Sequence, residues 1–111
     1  MKTLQEHKEE LIKNLTKDGY KAKEKQIEYD DELYCVKAQR KVFIFFNRTF
    51  IYILTKEVDS DKLKEMIKLV KKNFLSYHII WIAADYFTEQ VKDFADNNQQ
   101  IGLINIDLKE N

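Results

Sequence analysis

Two apolar runs in the middle of the chain constrain the fold more than any other feature. The runs are VFIFF from Val42 and FIYIL from Phe50, and Asn47 and Arg48 lie between them. Successive side chains of a strand point to opposite faces, so runs that are apolar throughout must be covered on both faces. Asn tolerates the positive φ of a tight turn. The sequence therefore predicts a hairpin of two central strands, turning at Asn47 and Arg48, with helices on both faces.

Helical periodicity marks three segments. The clearest follows the capping residues 59–61 and consists of apolar residues at helical spacing: Leu63, Met66, Ile67, Val70 and Phe74. A first helix is predicted from Leu4 to Leu15, with Gly19 as its stop. A third is capped by Thr88 and directs three side chains inward, those of Val91, Phe94 and Ala95.

The remaining segments are predicted as strands. Tyr20–Tyr29 alternates as an exposed or edge strand does, and a short apolar stretch follows at Leu33–Val36. HIIWIAA, from His78 to Ala84, is typical of a buried strand, and a last strand follows Gly102 with Ile104, Ile106 and Leu108 on one face. The predicted fold is α/β, in the order α-β-β-β-α-β-α-β, and the last crossovers imply parallel pairing in a mixed sheet.

Composition limits the classes of function. A chain of 111 residues fits one domain, 1–111. Nineteen basic and nineteen acidic residues balance, so net charge does not favour DNA as a partner. One cysteine excludes an internal disulfide, and no apolar run reaches the ~20 residues of a membrane span. We therefore expect a cytoplasmic protein with no membrane contact.

The order of elements resembles the PD-(D/E)XK nuclease superfamily, especially its archaeal Holliday junction resolvase and RecB-like branch. The segments that carry the resemblance cover nearly the whole chain: KVFIFFNRTFIYILTKE, DKLKEMIKLVKKNF, YHIIWIAAD and FTEQVKDFADNNQQIGLINID. The resemblance implies a restriction-endonuclease-like mixed sheet with helices on both faces. None of these segments is specific alone, and a thioredoxin-like or a flavodoxin-like fold is the alternative. Together with the composition, it suggests an archaeal or viral source.

Members of this superfamily place an Asp at the start of the second core strand and Glu-x-Lys on the third. The two carboxylates hold Mg²⁺, and the lysine activates the attacking water. With ILTK laid on the third-strand motif, Lys56 matches the lysine, but Leu54 stands at the glutamate position and Lys41 lies near the aspartate position. The resemblance therefore implies the fold with a degenerate active site, no catalytic residue and no cofactor.

An active enzyme would need relocated carboxylates. Asp31, or its neighbours Asp30 and Glu32, would replace the aspartate; Glu57 and the helix-borne Glu10 would act with Lys56, and Mg²⁺ would be the cofactor. In the alternative interpretation, 30–32 is a solvated turn and 56–57 an ordinary polar strand end.

Other residues suggest binding rather than chemistry. The lysine-bearing second helix is a candidate nucleic-acid contact through Lys64, Lys68, Lys71 and Lys72, although such charges usually form a solvated face. Tyr86 and Phe87 follow a buried strand and are candidates for contact with a partner. Cys35 is predicted to be a packed structural thiol, and His7 and His78 are too isolated in sequence to suggest a metal site.

The sequence supports three hypotheses. The first is an inactive nuclease-fold protein that binds a protein partner, or itself as a homodimer, in DNA replication, repair or a mobile-element context. The second is a nucleic-acid-binding module that uses the second helix. The third is a metal-dependent DNA nuclease with relocated carboxylates.

Overall fold

The computed structural model describes residues 1–43 and 46–109. These residues form three helices and seven strands, which run in chain order as follows: α1 (Leu4–Lys17), β1 (Lys21–Lys25), β2 (Leu33–Phe43), β3 (Phe46–Thr55), β4 (Glu57–Val58), α2 (Ser60–Asn73), β5 (Ile79–Ala84), β6 (Tyr86–Phe87), α3 (Glu89–Asp96) and β7 (Ile101–Asn105).

The main sheet has five strands in the order β1-β2-β3-β5-β7. β1, β2 and β3 pair antiparallel, whereas β3, β5 and β7 pair parallel, so the sheet is mixed. β4 and β6 form a separate parallel pair beyond the ends of β3 and β5. The predicted order of main elements is confirmed, with β4 and β6 as additions too short to be recognised from periodicity.

Helices cover both faces of the sheet, as predicted. On one face, α2 and α3 bury an aliphatic core whose central residues include Ile51, Ile53, Met66, Val70, Ile82 and Val91. On the other face, α1 packs chiefly on β1, β2 and β3, over a second core of six buried residues: Leu4, Leu15, Val36, Ala38, Leu54 and Ala83. β3 and β5 supply side chains to both cores, which explains why their sequences are apolar at nearly every position.

The position of the predicted hairpin turn is wrong. Asn47 and Arg48 lie within β3 and pair with Lys41 and Arg40 of β2, so they do not form the turn. Val42 and Phe43 belong to the same strand as the stretch beginning at Leu33, whereas Phe46 belongs to β3. Ile44 and Phe45, which the prediction also included, lie outside the described residues.

The helix ends follow the sequence closely. Thr3 and Glu6 form a reciprocal capping box at the start of α1, and the chain leaves this helix through Gly19 at φ 91°. Asp59 and Thr88 cap α2 and α3. The prediction that Phe94 points inward is wrong, because its side chain is 45% exposed. Within the described part of the chain, no helix is long and apolar enough to cross a membrane.

Candidate functional site at the carboxyl ends of the parallel strands

Polar residues collect where β3 and β5 end. The backbone N–H of Asp85 donates to the carbonyl oxygen of Lys56 at 2.9 Å, which holds the two strand ends side by side. Beyond this bond the chain continues into the β4–β6 pair, where Val58 and Phe87 point inward and are buried. Carboxyl ends of parallel strands are where α/β sheets commonly place their ligand sites. This edge is therefore the candidate site.

One cleft at this edge contains both signs of charge. It has a volume of about 430 Å³ and is lined by Glu32, Lys56 and Asp85, with a wall of residues from the two chain ends: Thr3, Leu4, Leu108 and Lys109. Glu32 precedes β2, which runs antiparallel to β3 with Leu33 opposite Thr55. The register therefore brings Glu32 to the end of β3 that carries Lys56. We call this the Lys56 cleft.

A neighbouring cleft lies by the starts of α2 and α3. It measures about 290 Å³, and the side chains that line it include Asp31, Glu57, Asp59, Lys62 and Tyr86. The ammonium of Lys62 donates to the Thr55 hydroxyl at 2.8 Å and lies 3.6 Å from an Asp31 carboxylate oxygen. Because Lys62 already has these partners, its charge is largely compensated within the chain. We call this the Lys62 cleft.

Glu32 and Thr55 link the two clefts. The Thr55 hydroxyl donates to the backbone carbonyl oxygen of Glu32 at 3.2 Å, and the Tyr34 hydroxyl donates to a carboxylate oxygen of Glu32 at 3.1 Å. Burial, followed by this bond to Glu32, raises the pKa of Tyr34. Both bonds fix the segment before β2, so the Glu32 carboxylate is positioned rather than loose.

Leu54 occupies the position next to this edge on the α1 face. Its side chain is 2% exposed and packs among the buried residues beneath α1. A search of residues 1–43 and 46–109 finds no group of three or more His, Cys, Asp or Glu side chains that could hold a metal ion. The edge therefore contains carboxylates and a lysine without a clustered ligand set.

The structure separates the four residues predicted for an active enzyme. Lys56 lines one cleft, whereas Asp31 and Glu57 line the other. Glu10 is on α1 and pairs with Lys2. Lys41, taken from sequence as lying near the aspartate position, is instead opposite Asn47 at the far end of β2. The residue at the true start of this strand, beside the lysine, is Glu32.

The binding candidates have mixed outcomes. Lys64, Lys68, Lys71 and Lys72 are all exposed on α2, as a contact with phosphates or a solvated face requires. Tyr86 is 60% exposed, whereas Phe87 is 3% exposed and belongs to the core under α2 and α3. The expectation that both aromatic rings remain outside therefore holds for Tyr86 alone, because the β4–β6 pair turns alternate side chains inward.

Asp85 is the site residue that sequence reasoning missed. It directly follows the buried strand IIWIAA, and a charged residue at that point is a recognisable signal for the carboxyl edge of a parallel sheet. Cys35 is 1% exposed, and burial raises the pKa of its thiol to about 12, which fits the predicted structural role. His7 bonds the carbonyl oxygen of Asp107, and His78 bonds the backbone N–H of Thr49.

Comparison with known proteins supports the fold and goes no further. No family model and no curated protein matches the chain. Among solved structures, EndoMS in its apo form, an archaeal endonuclease of the PD-(D/E)XK type, matches with a TM-score of 0.61 and 9% identity. The match covers 94% of this chain and 46% of EndoMS, so the chain spans less than half the length of that protein. This chain is thus similar to EndoMS in architecture, and it has a restriction-endonuclease-like fold.

Proposed function

We propose that this chain is a nuclease-fold protein that does not cleave DNA. It acts as an accessory subunit in DNA replication, repair or a mobile-element context, and it works by binding a protein partner or a second copy of itself. The proposal rests on one observation: the strand position that bears the metal-binding glutamate in PD-(D/E)XK nucleases is occupied by the buried Leu54. A leucine side chain has no lone pair for Mg²⁺.

The surroundings of Leu54 support this proposal. Its neighbours beneath α1 include Leu4 and Ala83, so a hydrated Mg²⁺ ion at that point would lose water without gaining oxygen ligands. Glu32 immediately precedes β2 and shares a cleft with Lys56, but this one carboxylate falls short of the strand-borne pair that the chemistry uses. The lysine is retained without the metal that it would assist.

A cleavage assay tests the proposal directly. Purified protein is incubated with labelled single-stranded, duplex and four-way-junction DNA in Mg²⁺ and in Mn²⁺, beside Lys56→Ala. The expected result is no cleavage by either protein. Cleavage by the parent that is absent from Lys56→Ala would contradict the proposal, and cleavage by both would indicate a contaminating nuclease.

The Lys56 cleft favours one second candidate, a metal-dependent nuclease with a rearranged site. Glu32 and Asp85 share this cleft with Lys56, so two carboxylates and a lysine face one space. Under this alternative, Mn²⁺-dependent cutting is lost in Glu32→Gln, Asp85→Asn and Lys56→Ala. Asp31→Asn, in the neighbouring cleft, is the matched control that retains activity. Persistence of cutting in Asp85→Asn would exclude this arrangement.

Tyr86 is the proposed contact with a partner. Its ring is exposed beside the Lys62 cleft, and an exposed aromatic ring next to charged groups is typical of interface residues. Sedimentation velocity from about 1 to 100 µM tests the homodimer. Self-association that weakens in Tyr86→Ser but persists in Tyr77→Ser, a substitution at the opposite end of the sheet, assigns the contact to Tyr86. A monomer at all concentrations leaves a different protein as the partner.

A further inference from the structure

The α1 face of the sheet is only partly covered. α1 packs chiefly on β1, β2 and β3, and it has fewer contacts with β5 and β7. Tyr52, Trp81 and Gly102 form one row across β3, β5 and β7, and alternation along β5 puts Trp81 on the α1 side, because Ile80 and Ile82 point to the other core. This row continues the α1 face towards β7, where the described residues of α1 make fewer contacts with the sheet.

Aromatic rings border the core beneath α1 on this face. Tyr20 and Phe50 pack with ring centroids 6.0 Å apart, and Phe50 lies two residues before Tyr52 on the same side of β3. Tyr20, Phe50, Tyr52 and Trp81 are all partly exposed. The four rings therefore form an aromatic strip along the sheet, with part of each ring accessible.

Gly102 lets the indole of Trp81 lie directly over the neighbouring strand. A Cβ atom added to Gly102 would lie 2.3 Å from both Cε3 and Cζ3 of that ring. No side chain fits between the indole and the β7 backbone, and Trp81 is placed by this contact rather than by either buried core. The indole thus lies close against the backbone at Gly102.

Two arginines stand at the hairpin end of the aromatic strip. Arg40 and Arg48 are directly opposite each other in the β2–β3 register, both are exposed, and the Arg40 guanidinium lies 5.8 Å from the Tyr20 ring centroid. Like charges directly opposite each other destabilise a sheet. From Leu33 to Lys56 the sequence contains no Asp or Glu, and no ion pair within the described ranges includes either arginine. Within the described residues, neither arginine charge is neutralised by an ion pair.

We propose that this surface, which consists of Tyr20, Phe50, Tyr52, Trp81, Arg40 and Arg48, binds single-stranded nucleic acid. Unpaired bases stack on aromatic rings, and arginines neutralise the phosphates between them. A duplex keeps its bases stacked on each other and has no ring faces to offer. The complementarity is local, so a net charge of zero does not oppose it.

This surface is distinct from the candidate site. Along β3, Arg48 is roughly 23 Å from Thr55 at about 3.3 Å per residue, and Tyr52, the ring nearest to Thr55 on this strand, is roughly 10 Å from it. It also differs from the lysine-bearing face of α2, where Glu65 accepts a hydrogen bond from Tyr29 and lies among the lysines in a shallow groove. Binding here is therefore independent of whether the protein cleaves DNA.

The single tryptophan provides a direct measurement. The probes are fifteen-residue oligo-dT and oligo-U and a fifteen-base-pair duplex, titrated at 50 and 200 mM salt while Trp81 fluorescence and probe anisotropy are recorded. The expected result is quenching of Trp81 by both single strands, with weaker binding of the duplex. Tighter binding of the duplex, or binding without quenching, overturns the proposal.

Variants assign the contacts. Trp81→Ala is expected to weaken binding about ten-fold, while Trp81→Phe, which keeps a ring, stays within about three-fold. In Arg40→Ala/Arg48→Ala, the slope of the logarithm of the binding constant against the logarithm of the salt concentration becomes shallower by about one unit. The matched pair Lys68→Ala/Lys72→Ala leaves affinity within about two-fold. The arginine variants change exposed residues and decide the question even where Trp81→Ala does not fold.

The contrary outcomes are equally specific. Equal weakening by the lysine pair places binding on α2 and overturns the proposal. A dimer that dissociates in Trp81→Ala, without oligonucleotide binding, assigns the surface to a second copy and also overturns it. Lys56→Ala retains full binding, so failure of this proposal is distinguishable from failure of the cleavage assay.

Discussion

The two faces of the sheet are built from different side chains. Under α2 and α3, the core is mainly aliphatic, its aromatic members Phe74 and Phe87 are buried, and residues such as Ile51 and Met66 are completely buried. On the α1 face, a smaller buried core gives way to partly exposed aromatic rings, including Phe50, Tyr52 and Trp81. The same strands supply both faces, so the difference comes from which alternate positions carry aromatic residues and from how far the helices extend.

The comparison separates stability from binding. Fully buried aliphatic side chains remove the most apolar area from water and contribute most to the free energy of unfolding. Partly exposed rings contribute less, but they keep surface that another molecule can cover. We therefore expect substitutions on the α2–α3 face to lower stability and those on the open part of the α1 face to change binding.

The largest effect on stability is expected for a substitution at Leu54, which is buried beneath α1. Leu54→Glu places a carboxyl group beneath α1, and burial of such a group raises its pKa by about 3–5 units, to above neutral pH. At pH 7 the folded protein keeps this group protonated, so the loss of stability from the raised pKa is limited to about 3–4 kcal/mol. Because the folded-state pKa is raised, the loss of stability grows as pH increases above the unfolded value of about 4.3.

Urea denaturation of Leu54→Glu and Leu54→Gln between pH 4 and 8 measures this effect. The neutral glutamine variant has no such pH dependence, so the two should differ little at pH 4 and diverge above it. Stabilisation of Leu54→Glu by added Mg²⁺ would mean that the position can reach a metal, which contradicts a closed site.

The second effect compares the two faces with one substitution. Ile82→Ala, under α2 and α3, removes a completely buried side chain and should cost about 2–5 kcal/mol. Ile104→Ala, on the α1 face, removes a partly exposed side chain of the same size and should cost less than half as much. Equal losses in chemical denaturation would show that both faces are packed alike.

Much of the fold could be predicted because local patterns and tertiary packing agree. The stripe from Leu63 to Phe74 encodes α2, and Asp59 caps it as its residue type suggests. The predicted turn is misplaced because strand pairing, and not residue type, determines where this hairpin turns. Asn47 is a residue type that fits a turn, but β2 extends through Arg40 and Lys41, and Lys41 pairs with Asn47. Turn propensity is a weaker constraint than a continuous strand register.

The site was less predictable, since it depends on contacts between distant segments. Glu32, Lys56 and Asp85 share a cleft only because β2 starts where β3 ends and β5 ends beside it. The spacing of these three residues in the sequence does not indicate that they share a cleft. The exposure of Tyr86 but not Phe87 likewise depends on the β4–β6 pair, whose two-residue strands leave no periodic signal.

A smaller effect is expected at the start of α1, the helix that closes part of the aromatic face. The backbone N–H and hydroxyl of Thr3 lower the pKa of Glu6 in the capping box. Thr3→Ala should cost about 1 kcal/mol. The contribution of Glu6 to stability is fully present above the ordinary pKa of this carboxyl group, and it is lost as pH falls through the lowered pKa. Thermal melts of the parent and of Glu6→Gln should therefore differ less at pH 3 than at pH 7; an equal difference at both pH values would mean that the Glu6 carboxylate does not stabilise the helix start.

The last prediction compares the solvent accessibility of the two faces in the unmutated protein. The chain has one cysteine and one tryptophan, and they lie on opposite faces. Cys35 is buried under α2 and α3 with a pKa near 12, so the native thiol should react with a disulfide reagent at pH 8 only as fast as the protein unfolds. Trp81 is partly exposed, so acrylamide should quench its fluorescence in the folded protein. Fast labelling of Cys35 would show that the core under α2 and α3 is accessible to solvent. Weak quenching of Trp81 would show that its side chain on the α1 face is buried.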